Sequence, residues 1–119
     1  MKINIKTTIK NKEEAHTFKG KAIKNQNIIT YKDGNTLTKI IIDDIITIER
    51  KNENKIILNL KKDIKLEGKY ITKYGCISIE TYAKEIIKKE NKLKIKYDLI
   101  INNELIDTFT YYCEYSIDS

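Results

Sequence analysis

Between Lys92 and Tyr115 the chain repeats with a period of two on both sides of a short polar break. Leu93, Ile95, Tyr97, Leu99 and Ile101 alternate with polar residues, apart from Ile100. Asn102-Asn103-Glu104 interrupts the run. Leu105, Phe109, Tyr111, Cys113 and Tyr115 then resume the alternation, with Asp107 as its one break. This pattern predicts a long antiparallel hairpin with one buried face, turning at the asparagines. A lone hairpin is marginal in water, so the rest of the chain must supply the opposite wall of the core.

The preceding residues do so with more of the same rhythm. Ile3 to Ile9 and His16 to Ala22 read as strands one and two, with Gly20 marking a bulge, a bend or a close backbone contact. Asn27 to Lys32 and Asn35 to Ile42 flank Asp33-Gly34, a strong turn signal. Strand five runs from Ile45 to Arg50, and strand six carries Ile56, Leu58 and Leu60. Strand seven places Ile64, Leu66, Gly68, Tyr70 and Thr72 on one face, and strand eight carries Ile77, Ile79 and Thr81. Residues 82–91 suit a helical face about as well as a strand. We read a strand continuing to about Ile86, then a charged turn. About ten strands joined by short turns, without proline, form an antiparallel meander. Closing that sheet removes two long edges that invite aggregation. The expected fold is all-β: one domain over residues 1–119, an up-and-down β-barrel, with a pair of strongly bent packed sheets as the alternative.

Composition narrows the function. A chain of 119 residues can bury a core without staples. The net charge of +6 is almost all lysine, and Arg50 is the one arginine. The wealth of Lys, Ile and Asn matches an AT-rich coding sequence, so part of the charge reads as a solvated surface, ahead of a nucleic-acid or membrane footprint. Cys76 and Cys113 make no disulfide framework and read as free, buried thiols of a reducing compartment, ahead of a pair bridging neighbouring strands. With no leader pattern and no run of ~18 apolar residues, the expected location is cytoplasmic, without membrane insertion. His16 is the sole histidine and reads as a surface or strand-edge residue. Neither a catalytic triad nor a paired zinc-ligand spacing is present, so we expect no enzyme, cofactor or metal.

A second signal lies in the order of the motifs. Arg50 ends a strand; Tyr70, Thr72 and Gly75 form a Tyr-X-Thr-X-X-Gly turn; Thr81 ends a hydrophobic strand; Ile95, Tyr97 and Leu99 form Ile-X-Tyr-X-Leu. With Gly20 and Tyr31 in the front half, the chain resembles the YwiB-like family of small bacterial proteins. That resemblance implies a calycin-like, lipocalin-like barrel in a domain of unknown function. Asn52 replaces the glycine that often follows the strand-ending arginine, and Lys32-Asp33 replaces an acidic pair. A chain without tryptophan also lacks the Gly-X-Trp signature of true lipocalins. The resemblance speaks to fold, not activity.

Strand phase then selects candidate residues. Arg50 shares the inward phase of Ile46 and Ile48 at the end of its strand. There it serves as a fork for a carboxylate or phosphate, as half of a structural ion pair, or as a snorkelling side chain at the rim. Tyr70, Tyr97 and Tyr111 are also inward, with Thr72 and Thr81 on neighbouring faces; together they suit an apolar pocket with a few polar handles, or an ordinary core. The favoured reading is a non-enzymatic barrel binding a small, partly apolar or anionic ligand. The alternative is a basic β-surface for single-stranded nucleic acid or ribonucleoprotein. Outward Ile57 and Ile100 leave monomer and homodimer both open.

Overall fold

Alternating side chains force each strand to hide one face, and here all ten hide it against one another. The protein was analysed as a computed structural model that describes residues 1–118. Its strands are β1 (Lys2–Lys10), β2 (Ala15–Asn25), β3 (Ile28–Asp33), β4 (Thr36–Ile42), β5 (Ile46–Lys51), β6 (Lys55–Leu60), β7 (Lys65–Thr72), β8 (Gly75–Lys89), β9 (Lys92–Ile101) and β10 (Glu104–Ile117). Each pairs antiparallel with the next, and β1 pairs with β10 to close the barrel. The up-and-down course places the turns at 11–14, 34–35, 52–54, 73–74 and 102–103 at one mouth.

The interior fills with the expected phases. Ile3, Ile29, Ile40, Leu60, Ile95 and their neighbours are fully buried. Gly20 sits in regular pairing rather than a bulge; a Cβ there would strike the ring of Phe18, which stacks on Tyr31 with centroids 5.2 Å apart. The last hairpin turns where expected, with Asn102 (φ 52°) and Asn103 (φ 64°) both left-handed, the backbone that a two-residue hairpin loop asks for. The β3–β4 loop is Gly34-Asn35, one residue later than Asp33-Gly34 suggests.

Three expectations need correction. Leu105 is 61% exposed, not inward, because Ile106 is an extra residue between the pairs Leu105–Ile100 and Asp107–Leu99. That bulge reverses the phase, so the apparent break at Asp107 is the true inward position. Ile64 lies in the turn before β7 and is 42% exposed. Residues 82–91 are strand as far as Lys89, three beyond the expected end. A register shift between Ala83 and Glu85 returns Ile86 to the core side, which explains why the segment mimicked a helical period.

The barrel has one thin seam. β6 and β7 pair only at Lys55–Ile71, Ile56–Tyr70 and Ile57–Lys69. Beyond them Asn59 bridges the gap. Its Nδ2 donates to the Glu67 carbonyl at 2.8 Å, while its Oδ1 accepts from the Thr47 hydroxyl at 2.9 Å. At Gly68 the chains approach so closely that a Cβ would run into the Ile57 carbonyl. Gly68→Ala should therefore cost about 2–3 kcal/mol, the scale of overpacking a closed core, read as a lowered urea midpoint with unchanged slope.

Candidate functional site

Beside the turns at 11–14, 34–35 and 52–54, at one mouth of the barrel, lie two clefts lined largely by polar side chains. Arg50, at the end of β5 between Thr38 of β4 and Ile56 of β6, is partly buried there. It faces both clefts. The nearer, about 260 Å³, is lined by Thr36, Asn52, Asn54, Ile56 and Tyr70. The farther, about 340 Å³, is lined chiefly by Ile9, Asn11, Glu14, His16 and Phe109. The first set belongs to the β4–β7 side and the second to β1, β2 and β10, nearly opposite in the barrel order. Arg50 lines both, so its side chain reaches across the opening.

A guanidinium in such a place normally takes a carboxylate. Here the ion pairs among the described residues are His16–Asp33, Lys21–Asp118, Lys61–Asp44, Lys84–Asp98 and Lys94–Glu85. Arg50 is in none of them. Asp33 accepts from His16 Nε2 at 2.6 Å, and Asp107 accepts from Asn11 Nδ2 at 2.9 Å, while Glu14 lines the second cleft with Arg50 without forming an ion pair with it among the described residues. The structural ion pair, one of the three roles open to Arg50 in the sequence, is thus not formed among the described residues, which leaves the ligand fork and the snorkelling rim side chain.

The remaining candidates divide. Tyr70 shares the near cleft, and its hydroxyl accepts from Asn54 Nδ2 at 3.1 Å. Its cross-strand partner Ile77 is inward in phase yet 50% exposed, leaving apolar surface at the rim. Tyr97 is buried and stacks on Phe109, which lines the far cleft. Burial pushes the Tyr97 phenol far above its ordinary range, with the Arg50 charge acting the other way. Tyr111 lies in the core, where its hydroxyl meets that of Tyr31 at 2.9 Å. Burial raises it too, Tyr31 and Cys113 add to the shift, and Arg50 again opposes it. The two threonines serve the frame. Thr72 accepts from the Tyr74 amide at 3.1 Å within the β7–β8 turn, and Thr81 donates to the Asn59 carbonyl at 2.5 Å across the seam. Asn52, Asn54, His16 and Phe109 were not marked in the sequence as site residues. The two asparagines and His16 lie in or beside turns, where polar residues carry no distinguishing signal.

Fold and mouth define a class: a closed, ten-stranded antiparallel barrel with an arginine across one opening that has no ion-pair partner among the described residues. The chain belongs to the family described as Domain of unknown function (DUF1934), whose model matches residues 3–112. It is similar to the YwiB protein of Bacillus subtilis, known from a crystal structure, with a TM-score of 0.59 and 16% identity over 98% of this chain and 91% of that one. At this identity the likeness shows the fold. No curated protein matches the chain.

The buried acids make stability depend on alkaline pH. Burial, with Glu114 adding, pushes the Cys113 thiol from its ordinary 9.0 up to about 12. The folded chain keeps this proton where the unfolded chain releases it. Stability is therefore intact below pH 9 and falls above it, by up to ~1.4 kcal/mol per pH unit for each such group. Tyr97 and Tyr111 join above their ordinary 10.0. Urea midpoints should begin to drop near pH 9, and in Cys113→Ala the drop should start about one unit later.

Proposed function

We propose that this barrel is a non-enzymatic binding protein that takes a small, partly apolar organic anion at its mouth. One observation carries the reading: Arg50, inward and partly buried, has no ion-pair partner among the described residues yet lines two clefts. A guanidinium offers a planar fork of donors matched to a carboxylate or phosphate, and it is less strongly hydrated than an ammonium. Around it, Ile9, Ile56, Tyr70 and Phe109 supply apolar surface for the body of the ligand. Asn52 and Asn54 supply a few directed polar groups, the usual division of labour in a binding pocket. Cys113 is free and buried as expected, whereas Cys76 is free but exposed at the start of β8; two unbridged thiols support residence in a reducing compartment such as the cytoplasm.

A second reading has its own observation. On the outer wall, Lys6, Lys89, Lys92 and Lys94 flank Tyr112 along a groove of about 410 Å³. Such a surface suits a single-stranded polyanion. Lys94 is already paired with Glu85 at 2.8 Å, however, and lysines are as common on other outward faces, which favours the mouth.

Titration calorimetry with phenyl phosphate, benzoate and inorganic phosphate tests the proposal. Wild type should bind at least one of them, Arg50→Lys should bind it more weakly, and Arg50→Met should lose about tenfold or more, as expected for a charge-assisted pair. Because Arg50 has no ion-pair partner among the described residues to strand, Arg50→Met should melt within about 0.5 kcal/mol of wild type. A large loss of stability with no anion bound by the wild type overturns the reading.

A further inference from the structure

From the way Arg50 divides the mouth, we infer that the bound anion is internal to its molecule: a phosphodiester joining two nucleosides, one in each cleft. This rests on the mouth being an anion site and adds which anion it takes. Carboxylates and phosphate monoesters are chain ends and leave one arm to place. A site with a single arginine at an opening's end would serve them. Here the same guanidinium borders a cleft on either side, built from opposite walls of the barrel. The phosphodiester is the common biological anion with an organic arm on each side.

Each cleft also carries what a base requires. The near one has the Tyr70 ring with Asn52 and Asn54; the far one has Phe109 and His16 with Glu14. Aromatic rings are stacking platforms, and amide and carboxylate side chains pair with base edges. Tyr70 is held by Asn54, Phe109 by its stack on Tyr97, and His16 by Asp33, so the rings are fixed before a ligand arrives. Size agrees as well. Clefts of about 260 and 340 Å³ lie near the floor of the roughly 300–1,000 Å³ range of ligand pockets, whereas a molecule filling both lies well inside it.

Titrate the full chain with 3′→5′-linked ApA, with AMP and with inorganic phosphate. Charge alone favours AMP, a dianion, over the monoanionic ApA. A two-armed site reverses that order, and ApA should bind about tenfold or more tighter than AMP, the scale of one added stacked base. Tyr70→Leu and Phe109→Leu should each remove about tenfold of the ApA affinity while leaving inorganic phosphate unchanged. If AMP or phosphate binds in an Arg50-dependent way but ApA gains nothing, the dinucleotide inference falls and the anion site stands. If the two leucine variants weaken phosphate and ApA alike, the rings are frame rather than platform and the inference falls too. If no ligand distinguishes wild type from Arg50→Met, both fall together.

Discussion

The ladder between β1 and β10, from Ile3–Ile117 to Lys10–Thr110, is the interaction on which the rest of the structure depends. Every other pairing joins strands adjacent in sequence, and each of those hairpins could exist in an open sheet. An open sheet would leave Ile3, Ile5, Tyr111 and Cys113 half wet and two rows of backbone groups unpaired. Closure makes one inside, and the inside gives the inward phase its meaning. It also brings β5 to face β1 and β10, and only then does Arg50 have a second wall to reach.

Much of this was legible because a strand has only two faces. Once Ile46 and Ile48 are inward, Arg50 follows; once Leu93 and Ile95 are inward, Tyr97 follows. The reading failed where a residue was added. One extra residue at Ile106 turned Leu105 outward, and a register shift after Ala83 disguised a strand as a half-turn of helix. Bulges are hard to see in a sequence because the residues on either side keep their alternation and lose only its phase.

The mouth was legible in part, for a related reason. Phase says which way a side chain points but not how far along the barrel it stands. Arg50 and Tyr70 stand at the opening and Tyr111 stands below it, though all three share the inward phase. Nor does phase say what a hydroxyl is already doing: Thr72 closes a turn and Thr81 spans the seam. The polar residues that complete the clefts come from turns, where Asn and Glu are expected whatever the function.

The meander has a kinetic side. With one exception, each strand needs only its predecessor, so ordering can start in any hairpin and spread outward through short loops. The exception joins the first strand to the last and carries the largest chain-entropy cost of any pairing. Folding speed should then be set less by the number of strands than by that single distant encounter, which places this small barrel among slow, topology-limited folders.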